Sequence, residues 1–256
     1  MIVREDDQHV ICIEQDHHAH IAAQMIEKWK SHFLNKDSFA ESVLYAIEQH
    51  DVGWHYFDKE PLWNDETKQP YTFIDLPLLI KTVLYTYGVT IVEKRNPYAA
   101  ALCSAHYTKF LQKYEIDEVQ QYISNEQLRR KSILEAYPEI DEAIFSKHLA
   151  LLQFADNLSL FVCLHEPGNN DNRHRYFQNG IRIPEAIDRD KVQFINGKWK
   201  DVQNFILNNL PEIEPFTITL GEKFVPKQLI ETEGFVSSYE KTPVTNRDIH
   251  FHVMSE

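Results

Sequence analysis

Glycine is scarce in this chain, with 7 in 256 residues. With alanine, leucine, glutamate and glutamine plentiful up to about residue 165, that scarcity predicts helix rather than sheet over the stretch. Cysteine is scarcer still. Cys12, Cys103 and Cys163 are odd in number, far apart and set in apolar surroundings, with no CxxC spacing. This excludes a disulfide framework and a thiolate metal or redox motif, and points to buried thiols in a reducing compartment. No apolar run reaches the roughly 18 residues that a bilayer span needs, and no charged-then-apolar leader opens the chain, so a cytoplasmic protein without membrane association is expected. Basic residues are outnumbered 26 to 39, giving a formal net charge of -13. That balance argues against a nucleic-acid backbone as the main partner, whereas a small phosphorylated substrate stays open. The hydrophobic share of 43% and a mass of 30.2 kDa suit a soluble chain with a large core, as one domain or as a main domain with a smaller appendage.

Short β-like runs, IVRE and HVICIE, separated by Asp6, Asp7 and Gln8, predict an opening hairpin over residues 2–13. Asp16 is placed to cap a helix with Ile21, Ala22, Met25, Ile26, Trp29 and Phe33 on one side. His18 continues that stripe one turn back, His17 lies at its margin, and His20 points away. Ser38 and Glu41 form an S-x-x-E capping box for a second helix. On it Val43, Ile47, His50, Asp51 and Trp54 share one face. The aromatic, proline-bearing stretch that follows, with Trp54, Tyr56, Trp63 and Tyr71, either covers a pocket mouth or is a loop pinned to the core by its rings.

Asp75 is expected to open a third helix running to about Lys94, with Leu79, Val83, Leu84 and Tyr87 as its apolar face. Asn96 and Pro97 start a fourth, whose stripe Ala99, Leu102, Cys103, His106, Phe110 and Leu111 again contains a histidine. Residues 116–137 read as a charged helix with a solvated face. The segment 139–163 is the most apolar helix, with Asp156 in line with Leu149, Leu152, Ser159 and Leu160. Beyond Pro167 and Gly168 a polar linker, NNDNRHR, leads to β-like pieces: YFQNGIRI, KVQFINGKWK with an Asn196-Gly197 hairpin turn, PFTITLGEKFVP and IHFHV. A short helix near 201–209 is expected to interrupt them.

The fold class expected is thus mainly α (α+β), a helical bundle with a small sheet formed by the N-terminal hairpin and C-terminal strands. The divisions are 1–14 for the hairpin, 15–167 for a helical metal-binding domain and 168–256 for a small β-rich portion.

Four helices each turn an ionisable residue toward the core: His18, then His50 with Asp51, then His106, then Asp156. An unpaired buried charge costs several kcal/mol or more, in round terms, so each group needs a partner or must lose its charge. A buried His/Asp pair would account for one such helix. A shared metal accounts for all four, because two or three imidazoles with one or two carboxylates make a common first shell for a divalent transition metal. Manganese, iron, zinc, nickel and cobalt all suit that set, as one ion or two.

The order H…HD…D on successive helices resembles the HD-domain metal-dependent phosphohydrolases over roughly residues 14–165. By that resemblance the bundle is of HD type, His18 is the first histidine, His50 and Asp51 the paired motif, and Asp156 in FADNLSL the closing aspartate. More narrowly, DHHAHIA, EQHDVGWHYFD, CSAHYTKF and FADNLSLF resemble an uncharacterised bacterial family of that superfamily, in which an HD-x-GW signature and a C-terminal β portion recur. Two departures stand out. Many catalytic members follow HD with a small residue, a glycine and a lysine, where this chain has Val52, Gly53 and Trp54; the first motif is also shared among His17, His18 and His20.

The activity implied is hydrolysis of a small phosphorylated metabolite or nucleotide, with metal held by His18, His50, Asp51 and Asp156. Asp51 is the candidate acceptor of the water's proton, and His106 either serves a second metal or acts as a general acid. Lys109 is a candidate phosphate contact or a plain surface lysine; His17 and Trp54 are further candidate contacts. Two alternatives keep the layout and change the role: a di-iron oxygenase, which His106 leaves open, and a non-catalytic metal- or ligand-binding sensor, which Trp54 in place of lysine favours. Oligomeric state is left open.

Overall fold

The computed structural model describes residues 1–171, 174–184, 187 and 194–254. Strands β1 (Ile2–Glu5) and β2 (His9–Ile13) form the opening hairpin. A helical run follows: α1 (Gln15–Lys28), the single turn α2 (Lys30–Phe33), α3 (Ala40–Gln49) and α4 (His55–Lys59). The ribbon of β3 (Trp63–Asn64) and β4 (Gln69–Pro70) interrupts it. Then come α5 (Leu78–Arg95), α6 (Pro97–Leu111), α7 (Asp117–Leu134) and the long α8 (Glu142–Leu164). The remainder is β5 (Ile181–Arg182), β6 (Phe194–Trp199), β7 (Asn204–Asn208), β8 (Phe216–Pro226), the short helices α9 (Lys227–Glu233) and α10 (Phe235–Lys241), and β9 (Thr245–Met254).

Seven strands make one sheet in the order β1-β2-β8-β9-β7-β6-β5. All pairs are antiparallel except β7 with β9. The strands read with period two: Phe216, Ile218 and Leu220 of β8 and Ile249, Phe251 and Val253 of β9 are buried while their neighbours face outward. That inner face lies on α1 and α8, with Trp29 edge-on to Phe216 and Phe161 against Phe205. One cluster of buried side chains runs from Ile2 through the helices to Phe251 and Val253, so sheet and helices share a core. A second cluster, containing Met1, Val10, Cys12, Val225, Phe235 and Tyr239, joins α10 to the other side of the hairpin.

This corrects the expected fold class. Among the described residues helix makes up 52% and strand 19%, so the fold is α+β with a substantial sheet, not a mainly α HD-type bundle carrying a small one. Two strands of 11 and 10 residues carry the difference. Residues 204–208, expected within a short helix, are β7, because Phe205 and Leu207 alternate into the core. Asn196 and Gly197 do not turn: both lie in β6, and the reversal comes at Asp201, whose carboxylate accepts from the backbone N–H groups of Gln203 and Asn204 at 2.9 and 2.8 Å. Gly197 is needed for space, since a Cβ there would meet the Phe205 ring at 2.4 Å. Residues 172–173 of the polar linker and 191–193 of KVQFINGKWK lie outside the described residues.

Helix starts also differ. Glu14, not Asp16, precedes α1, and Phe39 precedes α3 with no Ser38 cap. Asp75 accepts from the Thr72 backbone at 2.7 Å three residues ahead of α5. On α5, Leu79, Val83 and Tyr87 are exposed, whereas Lys81, Tyr85, Gly88, Val89 and Val92 are buried.

Candidate metal centre

The centre forms where α1, the end of α3, α6 and α8 meet. His18 lies in the first turn of α1, fully buried, and His50 immediately follows α3. The chain then tightens into a 3-10 turn at Val52–Trp54, which swings Asp51 inward; the Trp54 N–H donates to the Asp51 carbonyl at 2.9 Å. Gly53 permits this turn, because a Cβ there would lie 2.3 Å from the Leu84 carbonyl oxygen and 3.3 Å from Gly88 Cα. Helix α5 therefore packs directly on the backbone after His50-Asp51, and Trp54 is buried against Phe57 and Tyr85. The GW of the HD-x-GW stretch is thus a packing device here, with glycine for close approach and tryptophan as its anchor.

Distances define the centre. His18 Nε2 stands 3.5 Å from Asp51 Oδ2 and 3.3 Å from Asp156 Oδ1. His50 Nε2 stands 3.8 Å from Asp51 Oδ2 and 3.5 Å from Asp156 Oδ1. His106 Nε2 approaches the other oxygen of Asp156, Oδ2, at 3.6 Å. His50 Nε2 has no hydrogen-bond partner. Most of these gaps are long for direct hydrogen bonds. They suit atoms that share an ion, since ligands about 2.1 Å from a common metal lie roughly 3.0–3.4 Å apart. Two triads of ligand atoms, His18/His50/Asp51 and His50/His106/Asp156, are each compact enough to hold a metal ion, and they share His50.

The surroundings prepare the imidazoles for that role. His18 Nδ1 lies 3.0 Å from the Gln15 carbonyl and His50 Nδ1 2.7 Å from the Ile47 carbonyl. A carbonyl only accepts, so each Nδ1 carries a proton and each Nε2 is the nitrogen turned to the centre, with its lone pair open to a metal on His18 and released on His50 when an ion displaces the second proton. His106 differs: its Nδ1 is buried with no hydrogen-bond partner. Asp51 is held from two sides, by the Gln15 amide donating to Oδ2 at 2.8 Å and the Tyr107 hydroxyl donating to Oδ1 at 3.3 Å. Tyr107 in turn stacks on Tyr85 with ring centroids 3.9 Å apart. Neither Gln15 nor Tyr107 was expected from sequence. The only signal for Gln15 is its place one turn ahead of His18, where polar residues are common in any helix.

Electrostatically the centre asks for a cation. Among the described residues no lysine or arginine is paired with its side chains. Burial drives His18 and His106 down to about 3 each, with the neighbouring His50 adding to the shift. Burial opposes a charged His50 as well, but Asp51 and Asp156 outweigh it and hold its imidazole up at about 9. Asp51 is pushed by burial up to about 7 against the pull of His50. Asp156, also raised by burial, is carried below the usual range by His50, His106 and His18. In the metal-free protein a proton on His50 thus supplies the positive charge that the two carboxylates require.

The remaining candidates lie elsewhere. His17 Nε2 accepts from the Gly221 N–H at 2.9 Å and ties α1 to the sheet. His20 faces Asp16 at 3.7 Å and Glu48 at 3.5 Å near the surface. Lys109 is exposed and donates to Gln153 Oε1 at 2.8 Å. Trp54 is in the core beside the centre, 1% exposed, so it is walled off from solvent.

Among the described residues no helix is long and apolar enough to cross a membrane. A protein-family model described as a protein of unknown function (DUF3891) matches residues 1–218, a span that takes in every side chain of the centre. No curated protein and no solved structure matches the chain.

Proposed function

The chain belongs to the family described as a protein of unknown function (DUF3891), and on that premise we propose that it is a metal-dependent phosphohydrolase acting on a small phosphorylated metabolite or nucleotide. The observation that carries this reading is that His18 Nε2 and His50 Nε2 each lie 3.3 to 3.8 Å from a carboxylate oxygen of Asp51 and of Asp156, with each Nδ1 held by a backbone carbonyl. The H…HD…D order of these ligands, shared with the HD-domain phosphohydrolases, supports it. Bound there, a divalent transition metal supplies Lewis acidity toward a phosphoryl oxygen and lowers the pKa of water toward neutrality. His18 and His50 would hold the ion through Nε2, and Asp51 and Asp156 through a carboxylate oxygen each. Walls of Tyr85, Tyr107 and Trp54 limit water around the charged groups. His106, whose Nδ1 no acceptor fixes, is placed to relay a proton to a leaving oxygen, taking up at one ring nitrogen the proton that the attacking water releases and giving up the other, so that the ring ends neutral as it began. A cytoplasmic setting agrees with the three buried free cysteines.

The test joins metal analysis of the purified chain to a screen of nucleotides and phosphoesters. A divalent transition metal retained near one per chain, with hydrolysis abolished by Asp51→Asn, is the expected result; no retained metal and no hydrolysis after loading with manganese, iron, zinc, nickel or cobalt would overturn it. A second reading rests on the His50/His106/Asp156 triad, which offers a second ion position beside the first. It makes the protein a di-iron oxygenase, and two irons per chain with substrate-dependent oxygen uptake would favour it over hydrolysis.

A further inference from the structure

We propose that Gln15 is the positioning residue of the metal centre, one side chain and its own backbone setting two ligands at once. The inference rests on the metal-centre reading above and adds to it a residue outside the H…HD…D set. Three contacts carry it. The Gln15 carbonyl takes up His18 Nδ1 at 3.0 Å, which leaves Nε2 as the metal-facing nitrogen. Its side-chain amide donates to Asp51 Oδ2 at 2.8 Å, the oxygen that lies 3.5 Å from His18 Nε2 and 3.8 Å from His50 Nε2. Its backbone N–H donates to Asp58, a carboxylate that is itself completely buried and also holds the Met1 amino group at 2.8 Å.

With Asp51 ionised, as a metal ligand must be, the amide has one orientation. Turned over, Gln15 Oε1 would face the Asp51 carboxylate, acceptor against acceptor, inside a site where Gln15 is 2% exposed. With Nε2 fixed on Asp51, Oε1 is left buried and without a donor. The buried amide thus directs its donor at a ligand oxygen. This fits a residue whose task is to hold Asp51 Oδ2 facing His18 Nε2. Tyr107 assists from the other oxygen at the longer distance of 3.3 Å. Outer contacts of this kind commonly govern metal affinity, because an unheld carboxylate must lose rotamer freedom when the ion binds.

Side-chain variants separate this role from the backbone contacts, which every substitution keeps. Co2+ is titrated into the full-length chain while its ligand-field spectrum is recorded, and melts are measured in chelator. Gln15→Met keeps length and burial but deletes the donor. The expected result is a dissociation constant for Co2+ raised about 10- to 100-fold with altered band intensities, and a chelator melt close to wild type. Tyr107→Phe, which removes the longer contact, should raise the constant by a smaller factor. Unchanged affinity and bands in Gln15→Met would overturn the proposal. So would a Gln15→Met chain that melts far below wild type in chelator while Tyr107→Phe binds Co2+ normally, because a packing role would then account for everything. Wild-type chain that takes up no Co2+ would instead sink the metal-centre reading itself.

Discussion

Two of the clusters of charged side chains buried among the described residues are built on opposite plans. On the inner side of the sheet, Glu222 of β8 is 1% exposed and sits between Arg4 of β1 and Arg247 of β9. Arg247 Nε donates to one carboxylate oxygen at 2.8 Å, Arg4 bonds the other, and Arg4 also reaches the His165 carbonyl just past the end of α8 at 3.3 Å. Opposite charges meet there at hydrogen-bond distance, two guanidinium groups sharing one carboxylate. The centre between α1, α3, α6 and α8 collects imidazoles and carboxylates, at 3.3 to 3.8 Å, and among the described residues no lysine or arginine closes it. The contrast shows what separates a structural charge cluster from a ligand shell: the sign of the members and the length of the gaps, since burial is the same in both.

The comparison can be broken most forcefully at Glu222. Glu222→Ala leaves two guanidinium groups inside the protein without their shared carboxylate, and removal of one partner of a buried ion pair costs about 3–5 kcal/mol. Urea melts in chelator should show a loss of that size, with affinity for metal unchanged. A loss below about 1 kcal/mol would mean that the arginines find other partners and that the sheet cluster is not what it is taken to be here.

At the metal centre the signs invert. Asp51→Asn in chelator should melt within about 1 kcal/mol of wild type, because it deletes a charge that repels Asp156 while keeping a group of the same shape beside Gln15. The rise in melting temperature that metal confers on wild type should be lost. Leu152→Ala, a fully buried change on the same helix as Asp156, provides the reverse case: a loss of about 2–5 kcal/mol with the metal-dependent rise intact. If Asp51→Asn melts far below wild type even in chelator and metal stabilises both variants equally, His50 and Asp51 are a structural pair.

The residues that meet at the centre were legible for one physical reason: each interrupts an apolar stripe at a spacing that turns it inward, and four such interruptions need a common partner. The groups that hold them were not. Gln15 sits in a first helical turn where a glutamine carries no signal, and Tyr107 follows His106 on a helix apolar around most of its circumference. The rotation of α5 failed for the same reason. Leu79, Val83 and Tyr87 offered one face and Tyr85, Val89 and Val92 another, and the choice fell to the Gly53–Gly88 approach, a contact between segments far apart in sequence. In the sheet, the alternation of β8 was readable, but Phe205 and Leu207 were too few to distinguish a strand from a short helix. The short helices α9 and α10, between β8 and β9, were not foreseen, and they cover part of the hairpin's outer face.

The smallest expected effect sharpens the comparison at the rim of the centre. Lys109 is the cation nearest in sequence to His106, one helical turn on, and a lysine there would be the natural phosphate contact if it faced inward. Its ammonium instead donates to Gln153 Oε1 at 2.8 Å among exposed atoms. Hydrogen bonds on the surface contribute little, because water replaces the partner when it is removed. Lys109→Met should therefore shift the melt by no more than about 0.5 kcal/mol and leave metal affinity unchanged. Under the phosphohydrolase reading kcat/KM should also stay within about twofold of wild type, a difference of roughly 0.4 kcal/mol in transition-state binding. A tenfold fall in kcat/KM with metal affinity preserved would show that the lysine leaves Gln153 and swings onto the substrate, and the centre would then gain, in its bound state, the cation that its resting structure lacks.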